Sequence, residues 1–381
     1  MTMDRIAVVG AAQTKFEARK KDKTHYDLVY EATRDALADA GLGLDDIDNV
    51  VTVSNDFLDG RTISSMAVGE AAGAHDKNIS TVEGDGTFGA MYGAMRVWGG
   101  FRSTLVVAHS KGSEGNQRII GNAMFDPIFQ RLLGIEPIGA AALQANAYMS
   151  RFGLTEEDFA AVSVKNHKNA LNNPFAHLPL DLTVDEVMKS RKLADPIKLL
   201  DCGPISDGAA AIIIGNEEIV KKARTKPVWI KGVGHMAEDY FLGDRDLADP
   251  KALRGAAEKA YRMAGITNPL KELDAVELYD AFSYMEPLWL EGLGVCAPGR
   301  GGKLIERGVT VMNGELPVNP SGGVLSAHAL LAAGLARIIE AALQIRGQAG
   351  ARQVDGVKTA LAHGINGPCG QSHCVWILGA Q

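Results

Sequence analysis

Asn319-Pro320-Ser321-Gly322-Gly323-Val324-Leu325-Ser326-Ala327-His328 leads into an alanine-rich run from Leu330 to Leu343, and this stretch decides how the chain is read. A Gly-rich turn that hands a histidine to a helix start is one way to present an imidazole to a substrate. A second turn of similar build lies in the first half, Val82-Glu83-Gly84-Asp85-Gly86-Thr87-Phe88-Gly89-Ala90, again followed by a helix of small residues. Small residues along both helices allow close packing and predict two buried central helices.

Working outward, the elements around the two turns also recur. The first half opens on the apolar strand Ile6-Ala7-Val8-Val9-Gly10. A helix follows from about Tyr26, with Leu28, Val29, Ala32, Ala36, Leu37 and Ala40 on one stripe and Thr24 with Asp27 as a capping pair. It stops at Gly41, and Asp46-Ile47-Asp48 leads into the strand Val50-Val51-Thr52-Val53. The same order returns about 225 residues later, a period too long for a solenoid and suited to a duplicated domain. Its strand is Val228-Trp229-Ile230-Lys231-Gly232, and its helix carries Leu253, Ala256, Ala257, Ala260, Tyr261 and Ala264 before Gly265. Glu272-Leu273-Asp274 then enters Ala275-Val276-Glu277-Leu278. Thr104–Ala108 and Lys358–Ala362 are the strands that follow the two turns. The pattern predicts two similar α/β halves, 1–222 and 223–381, whose equivalent turns face each other across a central site. Between about 111 and 200 the chain leaves the pattern and reads as an insertion in the first half. Insertions of this kind often carry substrate contacts.

The composition, 46% hydrophobic and 22% charged with 43 glycines, is that of a globular α/β chain with many tight turns. A net charge of −7 with no basic block argues against nucleic acid as a ligand. No apolar run reaches the roughly eighteen residues of a membrane span. The N-terminus lacks the layout of a signal peptide. Cys202, Cys296, Cys369 and Cys374 show no zinc or CxxC spacing, so free thiols in a reducing cytoplasm, and no metal, are expected.

An ordered set of motifs resembles the thiolase superfamily, particularly the sterol-carrier-protein thiolase branch. They are Asn166-His167-Lys168, Asn172-Asn173-Pro174, Leu200-Asp201-Cys202-Gly203-Pro204-Ile205-Ser206-Asp207-Gly208, Glu277-Leu278-Tyr279-Asp280-Ala281-Phe282, Leu293-Gly294-Val295-Cys296, Gly301-Gly302-Lys303-Leu304 and Asn319-Pro320-Ser321-Gly322-Gly323. The resemblance covers essentially the whole chain. It implies a thiolase fold: duplicated βαβαβαββ halves in a five-layered α-β-α-β-α arrangement. It also implies an enzyme of acyl-CoA and lipid metabolism, working at a site between the halves. Coenzyme A would be substrate or product rather than a tightly bound cofactor. A homodimer is implied, with a small zinc-ribbon and OB-fold subunit as a further partner.

The chain departs from the family at the residues that carry its chemistry. The family nucleophile is a cysteine at the first turn, where a helix dipole favours thiolate. Here the segment is Glu83-Gly84-Asp85-Gly86. A carboxylate is a poor nucleophile toward a thioester. Asp85 or Glu83 is therefore a base or orienting group, or else a helix cap. Tyr279 stands where relatives place His or Asn, and Ala281 where the sterol-carrier type places Cys. A phenol at that strand end can donate to an oxyanion or act as an acid, as in the steroid side-chain aldolases that Tyr279 resembles, or it fills the core. His328 matches the Gly-His-Pro histidine without its Gly and Pro, and in the family that imidazole activates the nucleophile. His363 and Asn366-Gly367-Pro368-Cys369-Gly370 match the last catalytic loop, with Cys369 the thiol nearest the inferred site. Gly322, Gly323, Asn173 and His167 are candidate contacts to the CoA moiety. Thiolytic cleavage of a β-ketoacyl-CoA, retro-aldol cleavage of a β-hydroxyacyl-CoA, and a non-catalytic acyl-CoA-binding subunit all stay open.

Overall fold

The computed structural model describes residues 4–381. Nine strands form one sheet: β1 (Ile6–Gln13), β2 (Asn49–Val53), β3 (Asn78–Val82), β4 (Ser103–Lys111), β5 (Asp207–Asn216), β6 (Val228–Ala237), β7 (Ala275–Glu277), β8 (Thr359–Asn366) and β9 (Ser372–Gly379). Their order is β3-β2-β4-β5-β1-β6-β9-β8-β7. Read outward from the middle, the two flanks mirror each other. The first strand of each half is innermost, then its last, the one before the last, and its second. Val318 bridges Val276 in the place that β3 takes on the other flank. Within the sheet the flanks join where β1 pairs with β6, at Ala7 with Trp229 and Val8 with Val228.

Seven helices build the layers: α1 (His25–Ala40), α2 (Gly86–Trp98), α3 (Pro137–Phe152), α4 (Glu156–Ala170), α5 (Lys251–Ala264), α6 (Met285–Gly292) and α7 (Ala333–Arg346). Helices α2 and α7 touch each other and strands of both flanks, so they form the middle layer. Alternation along each strand sorts the side chains. Val51, Val53, Val106, Ala108, Ile212, Ala362 and Trp376 point inward onto α2 and α7. Val50, Leu105, Val107 and Ile213 point outward onto α1, and Val276, Leu361, Val375 and Ile377 onto α5 and α6. Both faces of the sheet are buried, which is why these strands read as continuous apolar runs. The five layers implied by the resemblance are present.

Local signals held where chemistry is local. Thr24 and Asp27 form the capping box that starts α1, and Gly41 ends it at φ 69°. The inserted segment supplies α3 and α4. One expectation is corrected. The second Gly-rich turn does not deliver His328 to a helix start, because a 3-10 turn at Leu330–Ala332 intervenes before α7 begins. His328 is instead extended backbone, its N–H donating to Pro204 O at 3.1 Å and its carbonyl accepting from Ser206 N at 2.9 Å.

Candidate active site

Tyr279 is separated from the end of β7 by one residue, Leu278. Its own N–H donates to His363 Nδ1 at 3.4 Å, its carbonyl accepts from Trp289 Nε1 at 3.0 Å, and the preceding N–H of Leu278 donates to Asn319 Oδ1 at 2.7 Å. The backbone is thus held on both sides and the ring has one direction to take. Its Oη lies 2.8 Å from His328 Nε2, with the rings edge to face at 88°. Burial raises the phenol pKa well above its ordinary value, and the charge of Asp85 adds to the rise. Surrounding walls strip water from His328 and lower its pKa to about 4, although its edge reaches the surface. At neutral pH both groups are therefore uncharged, and a hydrogen bond joins a neutral phenol to a neutral imidazole.

Asp85 joins the first Gly-rich turn to the start of α7. It caps α2: Oδ2 accepts from Thr87 N at 2.9 Å and from Thr87 Oγ1 at 2.5 Å. Its other oxygen accepts from Gly334 N at 2.8 Å, in the first turn of α7. One carboxylate thus serves the N-termini of both central helices, where two dipoles favour its negative charge. Burial still dominates and raises its pKa to about 6. Gly334 and Gly364 crowd it so closely that a Cβ on either would overlap its carboxylate. This geometry matches the capping role for Asp85. Glu83 is exposed and accepts from Asn55 Nδ2 at 2.6 Å, apart from the buried cluster.

Beneath the Asn319–Gly323 turn lies a buried polar network. Ser321 N and Oγ donate to Glu277, which also pairs with Arg337. Val324 N donates to Asp280 at 2.6 Å, and Asn166 Nδ2 donates to Asp280 at 2.7 Å and to Glu286 at 2.9 Å. Lys165 pairs with Glu286 at 2.7 Å. The residues assigned to CoA are turned into this scaffold. Gly322 and Gly323 have φ of 93° and 67°, and a Cβ on Gly323 would overlap Asp280. Asn173 Nδ2 donates to Ser321 O at 2.8 Å, and His167 is fully buried with Nδ1 2.8 Å from Leu178 O. For His167, a fully buried ring bonded to a backbone carbonyl fits a loop-ordering role.

Sequence reasoning missed the support behind Tyr279. His363 Nε2 lies 2.9 Å from His373 Nδ1, the rings stacked at 17°, with Trp289 edge-on to both. The Tyr279 N–H occupies His363 Nδ1, so His363 carries its proton on Nε2 and donates to His373. No spacing rule connects residues 279, 289 and 373, whereas Asn166 and Asp280 sat inside motifs already quoted. Cys369 is packed with Phe125, Ala140 and Leu242, and burial pushes its thiol up to about 12. Burial also raises Cys296 to about 12, and Cys202 and Cys374 further. No thiol of the chain is set up to ionise near neutral pH.

The buried titrating groups predict an unusual stability profile. Burial lowers His25 and His328 to about 4, His373 to about 3 and His363 well below its ordinary value. The unfolded chain binds those protons and the folded chain does not, so stability rises with pH up to about 6.5. Burial raises Asp85, Glu277 and Asp280 to about 6, 7 and 8. Those acids hold protons in the folded state, so their contribution is lost as pH climbs through the raised values. Stability should therefore peak near pH 6.5 and fall on the order of 2 kcal/mol by pH 8.5. Urea midpoints at pH 5, 6.5 and 8.5 test this; a midpoint still rising at pH 8.5 refutes it.

Comparison with known proteins agrees with this architecture. Residues 234–380 match the family model described as thiolase C-terminal domain-like. The chain is 35% identical to "Acetyl-CoA acetyltransferase" of Methanothermobacter thermautotrophicus, covering 96% of this chain and 97% of that one. It is 33% identical to "Sterol carrier protein 2" of Bos taurus, over 95% of this chain and 70% of the relative. A solved structure described as "Ltp2-ChsH2(DUF35) aldolase" superposes with a TM-score of 0.85 at 27% identity, over 98% of this chain and 97% of that one. The chain belongs to the thiolase superfamily and is a thiolase-fold acyl-CoA enzyme. Among the described residues no helix is long and apolar enough to cross a membrane, and no group of metal-ligating side chains occurs.

Proposed function

We propose that this protein cleaves the bond between Cα and Cβ of a β-hydroxyacyl-CoA by a retro-aldol step, without an acyl-enzyme. The observation that carries this reading is the Tyr279–His328 pair at 2.8 Å in a chain whose thiols are all held protonated. Neutral His328 takes the proton of the β-hydroxyl, directly or through the Tyr279 hydroxyl. The C–O bond becomes a carbonyl, the Cα–Cβ bond breaks, and its electron pair passes to the thioester as an enolate. Return of the proton to Cα completes the shortened acyl-CoA. No water and no free CoA are consumed. Tyr279 stays a phenol throughout and supplies a hydrogen bond as charge develops. The likeness to the DUF35-containing aldolase supports the same chemistry. It also supports a DUF35 partner subunit; the zinc-ribbon and OB-fold build of that partner and a homodimer of this chain rest on the family resemblance alone.

Incubation with β-hydroxyacyl-CoA thioesters tests the proposal. Aldehyde or ketone should appear in equal amount with a shortened acyl-CoA, with no requirement for free CoA. A strict requirement for free CoA would instead indicate thiolysis of a β-ketoacyl-CoA. No turnover with either substrate class would leave an acyl-CoA-binding subunit. Intact-protein mass spectrometry during turnover should find no acyl adduct. An adduct on Cys369 would make that residue the nucleophile and end the noncovalent mechanism.

A further inference from the structure

Between the short helix Gln117–Ala123 and the 3-10 turn Arg131–Leu133, the inserted segment turns its polar side chains onto its own backbone. Asp126 Oδ1 accepts from Ile128 N at 2.9 Å and from Phe129 N at 2.7 Å. Asn122 Nδ2 donates to Ile135 O at 2.7 Å, and Arg131 Nη2 donates to Ala123 O at 2.8 Å and to Phe125 O at 3.1 Å. The apolar side chains are left facing outward. Ile128, Phe129, Leu132 and Leu133 are 68%, 70%, 84% and 80% exposed. A loop shaped only by water would have the opposite arrangement, because large apolar side chains gathered in one place cost free energy when solvated. The same bonds fix the turn, so the surface is preformed and loses little conformational freedom when something covers it.

The segment that follows β6 widens this patch. Tyr240 Oη donates to Met124 O at 3.0 Å, and Phe241 meets Phe129 edge to face with ring centroids 6.4 Å apart. Both Tyr240 and Met124 are themselves exposed. Beneath them Phe125 packs with Leu242, Ala140 and Cys369, so the patch lies one side-chain layer from the loop at 366–370. Its apolar area exceeds the few hundred Å² that monomers usually leave open. It approaches the about 800 Å² that each side of a stable interface buries. A second copy of this chain has another surface to use. β3 is the outermost strand and pairs with β2 alone, leaving one edge of backbone groups open. Phe57, Ile63 and Met66, each 64% exposed, belong to the segment that Asn55 ties to Glu83 at the end of β3. An open edge pairs readily with its own copy about a two-fold axis. That pairing leaves the patch free for a different molecule.

We infer that Ile128, Phe129, Leu132 and Leu133, extended by Met124 and Tyr240, form the docking surface for the DUF35 subunit, which meets them with an apolar face of its own. The inference rests on the partner proposed above and adds the place where it binds. The test mixes the full chain with each DUF35-class protein of the same genome and measures mass by light scattering. A heteromer should form, and hydrogen exchange in it should slow at 124–133 and 240–241 but not along β3. Leu132→Asp combined with Leu133→Asp should weaken the complex at least about 100-fold, and Phe129→Ala about tenfold. Melting temperature and the mass of the chain alone should stay at their wild-type values, because these side chains stand in solvent. Phe129→Ala keeps the question measurable if the double variant does not fold. Protection elsewhere, with the double variant binding normally, overturns the docking surface and leaves the partner standing. Protection of the patch in the chain alone, with a lower mass for the double variant, makes a second copy the occupant and also overturns the inference. Binding to none of the DUF35-class proteins removes the partner and the inference with it, while the lyase assay still decides the retro-aldol reading.

Discussion

His328→Ala should lower kcat about a thousandfold, within the range for loss of a positioned general base. The fold should survive, because His328 contributes its structural bonds through the backbone: N–H to Pro204 O and carbonyl from Ser206 N. The imidazole itself touches only the Tyr279 hydroxyl among the hydrogen bonds of the described residues. The melting temperature should therefore move little, and KM for the thioester should change far less than kcat. The pH profile carries a further signature. With His328 held at a pKa of about 4, wild-type activity should not be lost as the pH drops from 7 to 5.5, unlike an enzyme relying on an ordinary imidazole. If His328→Ala retained a tenth or more of the wild-type kcat, the base would have to be sought elsewhere, with Asp85 at about 6 the next candidate.

Tyr279→Phe should cost about a hundredfold in kcat, the usual loss for one hydrogen-bond donor to a developing charge. The substitution removes one oxygen and nothing else. The ring keeps its edge-to-face packing on His328, and the backbone keeps its bonds to His363 and Trp289. A packing role predicts the opposite: near-normal turnover, since the phenylalanine fills the same space. That outcome with an inactive His328→Ala would leave the site resting on the imidazole, and Tyr279 would be core filler. Burial and the nearby charge of Asp85 hold the hydroxyl protonated, so wild-type activity should show no alkaline limb from this tyrosine below pH 10.

The two predictions concern residues that the sequence singled out for different reasons. His328 was visible because a Gly-rich turn precedes it, and Tyr279 because it interrupts a motif at a strand end. Their contact was not visible, since 49 residues separate them and no periodicity spans that distance. Glu83 and Asp85 were indistinguishable in sequence, two carboxylates at one turn. In the structure Asp85 receives N–H groups from both central helices, while Glu83 faces solvent beside Asn55. His373 sits in ordinary surroundings along the chain, and only the pairing of β8 with β9 brings its ring to His363 behind Tyr279.

The sequence by itself determined the elements and their repetition. Capping at Thr24, the stop at Gly41 and the continuous apolar runs of the strands are consequences of backbone geometry and nearest neighbours. The missing cysteine at the first turn is likewise a fact of sequence, and it alone makes an ordinary acyl-enzyme chemistry implausible at that position. The tertiary structure decided which groups are hydrogen-bonded at the site, which carboxylate is a cap, and which thiols are inert. Each of those depends on burial and on partners brought from distant segments. Desolvation sets the protonation of Tyr279, His328, Asp85 and Cys369, and it exists only once the two flanks close over the helices between them.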